Sequence, residues 1–182
     1  KGLENIPDKG PVIIVANHVS YVDALVITTA IRRPIQFVMD HNIFKAPGMV
    51  WVFRQMKAIP IASAKEDPAM MEKAFERVRH ALGEGEVIGI FPEGKLTRDG
   101  EMNPFRPGIE KIVEQTGAPV VPLALRGLWG SFFSRTADAQ AFKRFRGFFN
   151  RIELVSGALV PAANVKAAGL EATVREMRGE MK

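Results

Sequence analysis

The chain has no cysteine among its 182 residues. That absence excludes disulfides, thiolate metal sites and a cysteine nucleophile. It contains no Gly-x-Ser-x-Gly, so nothing marks a serine nucleophile on a strand-to-helix elbow. No apolar run approaches the ~20 residues that a bilayer-spanning helix needs. Histidine is scarce, limited to His18, His41 and His80. Acids are the minority charge: 20 Asp and Glu face 25 Lys and Arg, a net charge of +5. What remains is an ordinary globular composition, 47% apolar, in a length that suits one domain with a full core. No internal repeat, low-complexity tract or linker divides it.

Residues 11–16 are a continuous apolar run rich in valine and isoleucine, the pattern of a strand buried on both faces. Residues 35–39, 58–61, 86–91, 119–125 and 152–155 read as further strands. Between them, residues 21–31, 47–56, 107–116 and 165–177 have helical spacing. Another helix starts at Asp67-Pro68, a cap residue with proline at the first position, and ends at Gly83 and Gly85. Strands alternating with helices predict a single α/β domain with a mixed, mostly parallel sheet flanked by helices. Residues 92–106 form a long polar loop, and such loops in compact domains tend to carry function.

Two short segments carry the chemistry. The first is Asn17-His18-Val19-Ser20-Tyr21-Val22-Asp23, just past the first strand. In sheets of this kind ligands bind beyond the carboxyl ends of the strands. A five-residue offset across a strand-to-helix turn can fold Asp23 back onto His18. The carboxylate would then fix the ring tautomer and leave the other nitrogen free to take a proton. Ser20 is too near in sequence to be the obvious nucleophile, so the hydroxyl to be activated is the substrate's. The alternative is that both residues only cap the helix. His41 and His80 have no aspartate at this offset; they read as a turn residue and a surface residue.

The second segment is Phe91-Pro92-Glu93-Gly94, followed by Lys95, Thr97, Arg98 and Asp99. Proline stops the strand and glycine lets backbone approach a ligand closely. Lys95, Arg98 and Arg106 supply cations, and Arg106 precedes a helix start, a combination suited to phosphate. The bland alternative is a solvated loop with Glu93 paired to one of these cations.

The basic charge is concentrated in residues 126–151. Arg126, Arg135, Lys143, Arg144, Arg146 and Arg151 face one acid, Asp138. Seven of the chain's fifteen aromatics, among them Trp129, Phe142 and Phe145, lie in the same stretch. Interleaved rings and cations suit an anionic membrane surface or single-stranded nucleic acid, and equally a helix that packs its phenylalanines inward. No other feature favours nucleic acid, and it is not an expected partner.

These residues resemble the lysophosphatidate acyltransferase family, the PlsC-type glycerolipid acyltransferases. Asn17-His18 with Asp23 matches its Asn-His-x4-Asp motif, Phe91-Pro92-Glu93-Gly94 its Phe-Pro-Glu-Gly motif, and Val120-Val121-Pro122-Leu123 a later apolar-proline motif. The resemblance covers residues 2–125 in matching order and spacing. It implies a glycerolipid acyltransferase-like fold, with His18 and Asp23 as the catalytic pair. With the anion-site reading, it implies substrate contacts at Asn17, Glu93, Gly94, Lys95, Arg98 and Arg106, and no metal or bound cofactor. The implied partners are a lysophospholipid and an acyl donor, acyl-CoA or an acyl carrier protein, at the cytoplasmic face of a bacterial inner membrane. The chain looks most like the acyltransferase module of bacterial fusions that join a lysophospholipid-transporter-like part, this module and an acyl-carrier-protein ligase, similar to acylglycerophosphoethanolamine acyltransferases. Residues 1–182 are then one module of a longer membrane-associated protein. A hydrolase or transacylase using the same pair, or a membrane-binding module without catalysis, are the competing readings. Two departures bear on the acceptor. The arginine usual soon after Phe-Pro-Glu-Gly is displaced to Arg98 behind Lys95. The segment matching the family's second motif, residues 58–63, ends in Ser63 rather than arginine, with Lys65 or Arg54 as substitutes.

Overall fold

Val12–Ala16 form β1, with all five residues buried. A strand covered on both faces belongs in the middle of a parallel sheet with helices on each side, and that is its place. The structure, a computed structural model, describes residues 1–20, 22–45, 49–129 and 151–179. The other strands are β2 (Ile35–Asp40), β3 (Ile59–Ile61), β4 (Val87–Ile90), β5 (Val120–Arg126) and β6 (Glu153–Ser156). They form one sheet in the order β3-β2-β4-β1-β5-β6. The first five strands run parallel and β6 pairs antiparallel to β5. This is the mixed, mostly parallel α/β sheet that the alternation of patterns predicts.

The helices are α1 (Asp23–Ala30), α2 (Met49–Gln55), α3 (Pro68–Gly83), α4 (Gly108–Thr116) and α5 (Ala167–Arg178). Side chains alternate across a strand, so β1 feeds two cores. Ile13 and Val15 pack with Phe75, Val78 and Leu82 of α3, Ile109 and Val113 of α4, and Leu170 and Val174 of α5. Val12, Ile14 and Ala16 pack on the other face with Ala24 and Ile27 of α1, Phe53 of α2, Phe37 and Phe91. The Asp67 carboxylate accepts the Met70 N–H at 2.9 Å, with proline at the first turn, as the Asp67-Pro68 pair predicts. α1 begins two residues later than the periodicity suggests, and the N–H groups of Val19 and Ser20 before it are taken by the Asp23 side chain.

Because β1, β4 and β5 are parallel, the residues that follow them share one edge of the sheet. Asn17-His18 follows β1, Phe91-Pro92-Glu93-Gly94 follows β4 and Gly127 follows β5. Two segments 75 residues apart are thereby neighbours. Of the basic, aromatic stretch 126–151, only residues 126–129 and Arg151 are described, so the reading made for it falls largely outside the described residues. Among those residues, no helix is long and apolar enough to cross a membrane.

Candidate active site

His18 Nδ1 lies 2.9 Å from Asp23 Oδ2. The same oxygen accepts the N–H groups of Val19 at 2.7 Å and Ser20 at 2.9 Å. Asp23 is fully buried. Its bonds run back into the turn and not forward into α1, and Val22, the residue just before that helix, makes no side-chain cap bond. The capping alternative therefore does not describe Asp23. Two backbone donors keep the carboxylate oriented. A carboxylate oxygen facing Nδ1 suits the tautomer that carries its hydrogen there, with Nε2 as the acceptor. The imidazole side chain keeps 15% of its surface exposed.

The backbone of His18 is held as firmly as its ring. Its N–H donates to Glu93 Oε1 at 2.8 Å, and its carbonyl accepts the Thr97 N–H at 3.1 Å. Glu93 Oε2 in turn accepts from Asn103, through the backbone N–H at 2.7 Å and Nδ2 at 3.0 Å. Burial pushes the Glu93 carboxyl above its usual range, while the Asn103 side chain, the two N–H donors and the nearby imidazole pull it back. Asn17 is also fully buried. Its Nδ2 donates to the Leu125 carbonyl at 3.0 Å and its Oδ1 accepts the Leu125 N–H at 2.8 Å. The amide thus continues the β1–β5 ladder past the last strand residue. Two expected substrate contacts, Asn17 and Glu93, are therefore turned inward. Their polar atoms are taken up by protein donors and acceptors, and Glu93 is only 1% exposed.

Aromatic packing fixes the imidazole plane. The His18 ring stacks on Phe91 at a centroid distance of 4.1 Å, and Phe91 stacks on Phe37 at 5.5 Å. Phe37 has room because position 89 is glycine: a Cβ there would come within 2.4 Å of the Phe37 ring. Gly94 adopts φ +64°, and a Cβ on it would meet the Arg106 guanidinium at 2.7 Å. Arg106 therefore lies over the backbone at Gly94. Lys95 and Arg98 are exposed, and neither makes a hydrogen bond or ion pair among the described residues. Thr97 is turned inward, donating to Asp99 Oδ1 at 3.0 Å and accepting the Gly100 N–H. Of the two stand-ins for the missing arginine, Lys65 follows β3 on the edge that carries His18. Arg54 precedes β3 and lines a recess with Lys57 and Arg77 instead. Neither recess described on the surface includes His18 or Glu93.

The described residues contain no group of three or more His, Asp or Glu placed to hold a metal ion. What they offer is an oriented imidazole, two buried carboxylates that support it, and a rim of three exposed cations. A family model described as Acyltransferase matches residues 1–126, the stretch that contains both motifs. The chain belongs to this acyltransferase family. It is 31% identical over 128 residues to a chloroplastic 1-acyl-sn-glycerol-3-phosphate acyltransferase of Brassica napus, covering 70% of this chain and 36% of that protein. It is 33% identical over 126 residues to the 1-acyl-sn-glycerol-3-phosphate acyltransferase of Borreliella burgdorferi, covering 68% of this chain and 49% of that protein. The chain thus spans between a third and a half of the length of these relatives. The crystal structure of PlsC from Thermotoga maritima, a 1-acyl-sn-glycerophosphate acyltransferase, has the same fold, with a TM-score of 0.74 at 22% identity over 97% of this chain and 68% of that one.

For an acyltransferase of this family, sequence reasoning singled out His18, Asp23 and Glu93 and missed Asn103 and Phe37. Asn103 lies ten residues from the carboxylate it serves, in a loop with no periodicity. Phe37 reads as plain core, and only the glycine opposite it at position 89, inside a strand, signals a close approach.

Proposed function

We propose that the chain transfers an acyl group from a thioester, acyl-CoA or an acyl carrier protein, to the free hydroxyl of a lysophospholipid. His18 Nε2 takes the hydroxyl proton as the oxygen attacks the thioester carbonyl. The tetrahedral intermediate collapses by breaking the carbon–sulfur bond, and the proton held by the imidazole leaves with the thiolate. Asp23 keeps the ring oriented and stabilises the imidazolium. The observation that carries this reading is the 2.9 Å contact between His18 Nδ1 and a buried Asp23 whose other bonds are all to the turn around it. The hydroxyls of Ser20 and Thr97 are engaged within the turn and the loop. Direct transfer in a ternary complex therefore fits better than an acyl-enzyme.

Lys95, Arg98 and Arg106 meet the acceptor's phosphate, with Lys65 on the same edge. The names of the relatives favour lysophosphatidate as the acceptor. The displaced Arg98 and the serine at position 63 favour a phosphodiester such as an ethanolamine lysophospholipid, as in the fusion proteins that the chain resembles. Residues 126–151 bring the enzyme to an anionic membrane surface, at the cytoplasmic face of a bacterial inner membrane. Reversing the charge of Lys143, Arg144 and Arg146 should weaken co-sedimentation with anionic vesicles severalfold, and unchanged binding would remove that role.

Thiol release by the purified chain tests the reaction, with acyl-CoA and acyl carrier protein donors, with and without lysophosphatidate or lysophosphatidylethanolamine. Release that requires one acceptor supports acyl transfer and names it. Release without acceptor makes the chain a thioesterase, and acyl exchange between lipids without a thioester makes it a transacylase.

A further inference from the structure

The loop that secures His18 is itself secured from beyond the stretch that the family model matches. Arg178, at the end of α5, is 5% exposed. Its Nη1 donates to the Gly100 carbonyl at 2.8 Å and its Nη2 to Glu101 Oε2 at 3.3 Å. One turn earlier, Arg175 Nη2 donates to Glu171 Oε1 at 2.9 Å and reaches the Met102 carbonyl at 3.4 Å. One further turn back, Glu171 Oε2 accepts the Phe105 N–H at 2.9 Å. Spacings of four and three residues put these side chains on one face of the helix, and together they meet the chain at residues 100, 101, 102 and 105. The Phe105 N–H and Arg175 hold the Glu171 carboxyl below its usual range.

The opposite side of the same loop faces the candidate active site. Gly100 donates to Thr97 Oγ1, and the Thr97 N–H bonds the His18 carbonyl. Asn103, between the Met102 and Phe105 anchors, supplies both bonds to Glu93 Oε2. Packing alone does not explain the polar face of α5. Leu170 and Val174 already bury that helix in the core. A buried guanidinium is costly; at Arg178 both Nη atoms are bonded to the loop while Nε finds no partner among the described residues, and an apolar residue would serve a purely packing role there.

We propose that Glu171, Arg175 and Arg178 are positioning residues: α5 clamps residues 100–105 so that Thr97 and Asn103 keep His18 and Glu93 in register. The catalytic consequence rests on the acyl-transfer reading; the mechanical one does not.

The test uses the 182-residue chain with Arg178→Met, Arg178→Lys and Glu171→Gln. Amide hydrogen exchange reads the clamp without any assay of turnover. In Arg178→Met the amides of Thr97, Gly100 and Asn103 should exchange about tenfold faster or more, while those of Val12–Ala16 stay protected. Arg178→Lys should restore part of the protection, and Glu171→Gln should loosen Phe105 and Asn103. In the thiol-release assay, kcat should fall about tenfold or more at unchanged KM for both substrates, since small misplacements of a reacting group are enough for that. Unchanged loop exchange in Arg178→Met and Glu171→Gln would overturn the proposal. So would loss of protection in β1 in step with the loop, which marks general destabilisation, or a rise in KM with kcat intact. If the unaltered chain shows no turnover, the exchange pattern alone decides whether the clamp exists.

Discussion

The two halves of the site are built in opposite ways. Asp23 and Glu93 are buried, and each accepts three hydrogen bonds, from the His18 ring and turn on one side and from His18 and Asn103 on the other. Lys95, Arg98 and Arg106 stand exposed on the neighbouring loop, and their side chains make no hydrogen bond among the described residues. The first arrangement is held by the protein's own hydrogen bonds, so it has little order left to lose on binding a ligand. The second is a set of long cationic side chains that can follow a phosphate wherever the acceptor places it. One half should therefore govern kcat and the other KM.

His18→Ala tests the buried half most directly. Turnover should fall by about 10³-fold or more, the scale of a lost general base with its electrostatic support, while thermal stability stays near that of the parent. Substantial activity in a folded variant would move the chemistry elsewhere. Glu93→Ala comes next. It leaves the His18 and Asn103 N–H groups unsatisfied, at about 1–3 kcal/mol each, so melting temperature and kcat should drop together while KM holds. Gly89→Ala is milder and more specific. Its methyl collides with Phe37 and tilts the stack that ends on His18. Overpacking of this kind costs about 1–3 kcal/mol, and kcat should fall roughly tenfold as the imidazole leaves its plane.

The smallest effect belongs to the exposed half. Arg98→Ala should change stability by no more than about 0.5 kcal/mol, as expected of a surface substitution. Acceptor KM should rise severalfold, and by more at low salt than at high salt. A kcat loss without a KM change in Arg98→Ala would erase the distinction between the halves.

Much of this arrangement is legible in the sequence, for identifiable reasons. A fully apolar β1 announces a central parallel strand, and motifs placed after such strands fall on one edge whatever the strand order. The polar run from Pro92 to Arg106 announces a loop with work to do. Direction was not legible. Nothing in the letters Asn17 and Glu93 says whether a polar group at the end of a buried strand faces a ligand or the protein, because their partners, Leu125 and His18, are 108 and 75 residues away. The α5 clamp was hidden for the same reason, since Arg178 and Gly100 are 78 residues apart. The order β3-β2-β4-β1-β5-β6 depends on which crossovers pack, and periodicity carries no trace of that.

The Asn17 amide stands in for a peptide group, and that makes it a recorder of the chain's history. Within the fold both its atoms are bonded and out of water, so hydrolysis to aspartate has no access. In an unfolded chain the same amide is open to that slow loss. A molecule converted there cannot recover the original pairing, because a carboxylate would face the Leu125 carbonyl with no hydrogen to give. An aspartate found at position 17 would therefore mark a molecule that had at some time been unfolded.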